Sequence, residues 1–161
     1  MNKLKLPIAF TFLLIIFTAC SKDDADTSYE IYTIEDLKLL HNNSSKTWEL
    51  EAYYQNYDNW ISDKNDCLID DIYIFKTDNE VEVISGNENC YYGDSEIAET
   101  SYTFYEEEGG VWLTMTRGEI TDDIVSSTFF TLKLIELQED RMVFSSGDKR
   151  DYKTALIFVT N

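Results

Sequence analysis

The sequence predicts an all-β domain, an antiparallel barrel or sandwich. Short runs rich in Val, Ile, Thr, Tyr and Phe recur along the chain. Turn signals separate them at Asp78-Asn79, Gly86-Asn87, Glu108-Gly109-Gly110, Gln138-Glu139-Asp140 and Gly147-Asp148. The only proline is Pro7, outside these runs. Strands at such spacing, joined by tight turns, belong to antiparallel all-β architectures.

The first element is not part of that domain. Lys3 and Lys5 precede an uncharged apolar stretch over residues 6–19. A spanning helix needs about 20 apolar residues, so the stretch reads as the hydrophobic region of a signal peptide over residues 1–19. Phe17-Thr18-Ala19-Cys20 resembles a lipobox, in which a cysteine receives lipid. A thiolate is the nucleophile that takes a diacylglyceryl group. Several acyl chains then hold the protein to a membrane without inserting it. Within the acidic tether over residues 20–30, Ser21-Lys22-Asp23-Asp24-Ala25-Asp26 resembles the surface-export signal of Bacteroidota lipoproteins. The expected location is therefore the outer membrane, lipid-anchored at Cys20 and exposed at the cell surface.

Cleavage would remove two of the 13 basic residues and none of the 31 acidic ones, taking the formal charge from −18 to about −20. Such a surface repels nucleic acid and anionic lipid headgroups. The 142 residues left suffice for one domain with a core, placed at residues 31–161.

A short helix opens the domain. Thr33 caps it with Asp36 three residues on, and Ile34, Leu37, Lys38 and Leu40 fall at helical spacing. Asn42-Asn43-Ser44-Ser45 ends it. Trp48, Leu50, Ala52 and Tyr54 then alternate with Glu49, Glu51 and Tyr53, the pattern of a half-buried strand. Further strands are expected near 70–77, 80–85, 99–107, 111–117, 127–137, 141–146 and 152–160. Trp48, Tyr73, Phe75, Trp112 or Leu113, Phe130, Leu132, Met142 and Phe144 are assigned to the core.

Cys67 and Cys90 flank a strand–turn–strand. A two-residue turn at Asp78-Asn79 would set the cysteines opposite each other. A three-residue loop, Thr77-Asp78-Asn79, would pair Phe75 with Val81 and Tyr73 with Val83, leaving the cysteines one position apart, with Gly86 able to host a bulge. Either register predicts a Cys67–Cys90 disulfide, which restrains the unfolded chain by about 3 kcal/mol.

Lys46-Thr47-Trp48-Glu49-Leu50, followed by Cys67, Asp70-Asp71-Ile72-Tyr73-Ile74-Phe75, Asp78-Asn79, Gly86 and Cys90, resembles the lipocalin-like domain of many Bacteroidota lipoproteins over roughly residues 44–160. The resemblance implies an up-and-down, eight-stranded β-barrel with a short N-terminal helix and a tryptophan closing one end, a position Trp48 matches. Lys46 and Asn79 stand where such sequences usually carry glycine.

The chemistry of the side chains argues for binding and against catalysis. His41 is the only histidine and sits at the end of the expected helix. With Cys67 and Cys90 paired, no nucleophile–histidine device is available. Carboxylates are too numerous for any pair to stand out as a hydrolase motif. Asp63-Lys64-Asn65-Asp66 is oxygen-rich but lacks the Gly and terminal Glu of an EF-hand, so it reads as a polar turn. No cofactor and no metal are expected.

Aromatic residues make up 14% of the chain, with Tyr53, Tyr54, Tyr57 and Trp60 around the first strand and Tyr91-Tyr92 after Cys90. Exposed aromatics on barrel-end loops commonly bind sugars or partner proteins, whereas most of those here are expected to fill the barrel and cover its ends. Tyr54, Tyr73, Phe75 and Trp112 are the candidate ligand contacts, for a small apolar or glycan ligand. A filled barrel would favour an accessory subunit of an outer-membrane assembly instead. A carboxylate-based hydrolase is the third reading.

Overall fold

The computed structural model describes residues 30–61, 66–90, 96–120, 125–147 and 152–160. The signal stretch, Cys20, most of the tether, Asp63-Lys64-Asn65 and Tyr91-Tyr92 lie outside the described residues.

The chain forms α1 (Lys38–His41), β1 (Ser45–Gln55), β2 (Asp58–Asn59), α2 (Asp66–Ile69), β3 (Ile72–Lys76), β4 (Glu80–Ile84), β5 (Glu96–Tyr105), β6 (Gly110–Ile120), β7 (Val125–Leu137), β8 (Arg141–Ser145) and β9 (Thr154–Val159). Each long strand pairs antiparallel with the next, and β9 returns to β1. Eight strands therefore close an up-and-down barrel, the lipocalin-like arrangement, with no free sheet edge at the β1–β9 closure. The short β2 is an addition that folds back on β1.

One end is sealed. Leu37 and Leu40 point into the barrel and Trp48 is fully buried beneath them, its Nε1 donating to the Leu40 carbonyl at 2.9 Å. Lys46 Nζ sits 4.2 Å from the Trp48 ring centroid on the outside, a cation–π contact. Thr33 Oγ1 and N–H both donate to Asp36 Oδ2 at 2.7 Å. The Thr33–Asp36 pair forms but closes the turn before the helix, because only residues 38–41 are α-helical, with Leu37 at the N-cap and no side-chain cap bond, and Ile34 is exposed. Asn42 ends the turn at φ 49°, in the left-handed region that Asn tolerates.

Above that plug the interior is packed with rings. Phe75 lies 5.8 Å from Tyr102, 6.3 Å from Phe144 and 6.0 Å from Phe158, while Tyr73 meets Phe158 edge-on at 5.2 Å. Each buried aromatic removes roughly 150–250 Å² from water, so these rings dominate the burial that drives folding.

Two open alternatives are resolved and one expectation is corrected. The β3–β4 hairpin takes the three-residue register, Phe75 opposite Val81 and Tyr73 opposite Val83, with Asn79 at φ 68°. On β6 it is Leu113 that enters the core, whereas Trp112 faces outward opposite Thr103 and Lys133. On β1 the register shifts between Leu50 and Ala52. That bulge inverts the alternation beyond it, so Tyr53 points inward and Tyr54 outward.

Candidate binding site at the open end of the barrel

The opposite end is where the barrel has room. β1 leaves it through a two-residue turn, Asn56-Tyr57, with φ 52° and 72°, the paired positive values of a type I′ hairpin. The turn brings Trp60 back, its N–H donating to the Tyr53 carbonyl at 2.8 Å. The cysteines pair here, Sγ to Sγ at 2.04 Å. Cys67 lies on α2 rather than on a strand, and Cys90 lies in the loop before β5. The expected bridge forms, but between a helical turn and a loop.

A cup of about 270 Å³ opens at this end, lined by Tyr53 and Gln55 of β1, Trp60, Leu68 of α2, Cys90, Arg117 of β6, and Thr128 and Phe130 of β7. Each strand contributes through its inward periodicity. Leu113, Met115 and Arg117 continue one face of β6, and Thr128 and Phe130 stand opposite Arg117 and Met115. Tyr53 and Phe130 meet edge to face at 5.4 Å, forming an aromatic corner.

Arg117 is the unusual residue of the cup, since its side chain is 3% exposed. Nη1 donates to Glu96 Oε1 at 3.1 Å, and Nη2 is ion-paired with Asp71 Oδ2. Nε has no hydrogen-bond partner. Burial pushes the guanidinium below its ordinary value, with Asp70 acting in the opposite direction. Burial likewise pushes the Glu96 carboxyl upward, opposed by the N–H of Cys90, which donates to Oε2 at 3.2 Å. A charge taken out of water needs such partners, because an isolated buried ion is far costlier than a paired one.

The same carboxylates fasten the loop that carries Cys90. Gly86 N–H donates to Asp71 Oδ1 at 2.9 Å, and the N–H groups of Asn87 and Glu88 donate to Asp70 Oδ2 at 2.6 and 2.9 Å. Gly86 is required because a Cβ there would fall 2.1 Å from the Asp70 carboxyl carbon. The expected bulge at Gly86 is instead a close approach of backbone to carboxylate.

The four expected ligand contacts do not converge. Tyr73 and Phe75 are sealed inside the barrel, Tyr54 packs outside against Tyr152 at 5.4 Å, and Trp112 borders a separate hollow on the outer wall. Trp48 occupies the barrel-closing position. The residues that do converge include Trp60 and Tyr53, which belong to the aromatic cluster visible in the sequence. Arg117 and Gln55 carry no such signal beyond their inward register. His41 lies at the sealed end, away from the cup, with Nδ1 buried and unpartnered.

Two further hollows border the described residues. One, of about 490 Å³, lies beside α1 among Lys38, Lys46, Glu139 and Asp140, and the other, of about 320 Å³, lies beside Trp112 and Tyr105. Neither enters the barrel. Among the described residues, no group of three or more His, Cys, Asp or Glu is placed to hold a metal, and no helix is long and apolar enough to cross a membrane. No protein-family model, curated protein or solved structure matches the chain.

Proposed function

We propose that this protein is a surface lipoprotein of the Bacteroidota type whose barrel presents a small-molecule binding cup, and that it is a binder rather than an enzyme. The observation that carries the reading is the cup itself, a concavity at the unsealed end of a closed barrel, with an aromatic corner and a few inward polar groups. Ligand sites favour the mouths of barrels and combine apolar walls with sparse polar groups that fix orientation.

The polarity of the barrel supports the same reading. The described chain begins at the sealed end, where Tyr32 N–H donates to the Gly109 carbonyl at 2.8 Å. A lipid on Cys20 would therefore hold the sealed end toward the membrane. Ten extended residues reach at most about 35 Å, which bounds the distance between such a lipid and the sealed end. The carboxylates Asp71 and Glu96 are engaged by Arg117 and by backbone N–H groups, which suits a supporting role better than acid–base work in a hydrolase.

An accessory subunit of an outer-membrane assembly is the second reading. The ring-filled lower barrel and the exposed Ile31, Ile34 and Leu39 at the sealed end favour it.

Thermal unfolding against a collection of small soluble compounds separates the two. Binding in the cup predicts compounds that raise the Tm of the wild type but not of Thr128→Trp, which fills the cup. Compounds that stabilise both forms equally, or none at all, would sink the ligand reading.

A further inference from the structure

We propose that the cup takes a neutral, hydroxyl-rich ligand the size of one pyranose ring, held between Trp60 and the Tyr53–Phe130 corner and hydrogen-bonded by Gln55 and Tyr53. The inference rests on the reading of the cup as a ligand site and adds the chemistry of what fits it.

Size comes first. At about 30 Å³ per water molecule, 270 Å³ holds roughly nine waters. That is the room of a single substituted ring and far too little for a long acyl chain or a macrocycle, since packed rings block the barrel below.

The polar groups then exclude a purely apolar occupant. Neither the Tyr53 hydroxyl nor the Gln55 side-chain amide has a hydrogen-bond partner among the described residues. An apolar ligand would strip water from these groups and offer no hydrogen bond in return, a penalty that ordinarily outweighs the dispersion attraction.

Electrostatics exclude strongly charged occupants. The guanidinium is buried in the wall of the cup, held by Asp71 and Glu96, with Asp70 close enough to act on both Arg117 and Glu96. A bound anion would meet one cation backed by three carboxylates, on a chain of formal charge −18. A bound cation would lie against the Arg117 guanidinium in the wall, with the nearby carboxylates already engaged by it and by backbone N–H groups. A neutral polyol avoids both penalties and uses what the wall offers, the Tyr53 hydroxyl and a donor–acceptor amide from Gln55. Its C–H faces suit the aromatic surfaces of Trp60, Tyr53 and Phe130.

The test is calorimetric titration of the native protein with D-glucose, D-galactose, D-mannose and N-acetyl-D-glucosamine. Maltotriose and chitotriose represent the chain ends of polymers, and benzoate, benzylammonium and toluene serve as charged and apolar probes. The expected result is saturable binding of at least one sugar with Kd of about 1 mM or tighter. Tyr53→Phe and Gln55→Ala should each weaken it about fivefold while Tm and circular dichroism stay unchanged. A trisaccharide binding tenfold tighter than its monomer would identify a polymer end as the source, and equal affinities a free sugar. If benzoate, benzylammonium or toluene binds and no sugar does, the ligand class is overturned while the cup remains a ligand site. If no probe binds, both readings fall together.

Discussion

Arg117 Nη1 donates to Glu96 Oε1 at 3.1 Å from a side chain almost wholly removed from water. The bond joins the inward face of β6 to the start of β5, and Glu96 in turn accepts from Cys90. Removing one member of a buried ion pair leaves an uncompensated charge, which costs about 3–5 kcal/mol. Arg117→Met should therefore destabilise the protein by that amount in urea unfolding. Adding Glu96→Gln should recover part of the loss, because one stranded charge disappears. A loss below about 1 kcal/mol for Arg117→Met would mean that the guanidinium does not hold the wall together.

Gly86 and Asp70 form the second fastening. Gly86→Ala should cost about 1–3 kcal/mol as its methyl group displaces the Asp70 carboxylate from the N–H groups of Asn87 and Glu88. In an Asp70→Ala background those hydrogen bonds are already gone and the space is open, so Gly86→Ala should add little. Additive effects of the two substitutions would contradict the close approach.

His41 reports on the sealed end. Burial lowers its pKa below the ordinary 6.5. The folded state therefore binds fewer protons at this site than the unfolded chain. Stability from this group is intact well above pH 6.5, declines as pH falls through 6.5, and stops declining below the folded pKa. As the chain holds one histidine, a single imidazole resonance titrates, and its midpoint should lie below 6.5. His41→Gln should flatten this part of the stability–pH curve. A midpoint above 6.5 would show that the imidazole is not buried as described.

Much of the barrel is legible in the sequence because hydrophobic periodicity and turn residues specify strands locally. The seven strands expected after the first lie within a few residues of those observed, and the Cys67–Cys90 pairing is readable from the hairpin between them. The site is less legible for a definite reason. A one-residue bulge after Leu50 turns Tyr53 inward and Tyr54 outward, and nothing in Leu50-Glu51-Ala52 announces it. Arg117 is hidden differently. The periodicity ends the strand there, at a rim, whereas β6 continues to Ile120 and carries the guanidinium inside. Its partners Asp71 and Glu96 are 46 and 21 positions away in sequence, so only the closed sheet brings the three together.

The lipid anchor has its own test. Cys20→Ala should abolish incorporation of labelled palmitate and move the protein from the membrane to the soluble fraction. Retention of label would contradict Cys20 as the lipidated residue.

The cup is tested most directly by the three tryptophan indole N–H resonances in a proton–nitrogen correlation spectrum. Trp48 closes the sealed end, Trp112 faces the outer wall, and Trp60 alone lines the cup. On titration with a compound that raises the Tm, the account predicts that the Trp60 indole shifts saturably while those of Trp48 and Trp112 stay in place. Shifts confined to Trp48 or Trp112, with Trp60 unmoved, would contradict it.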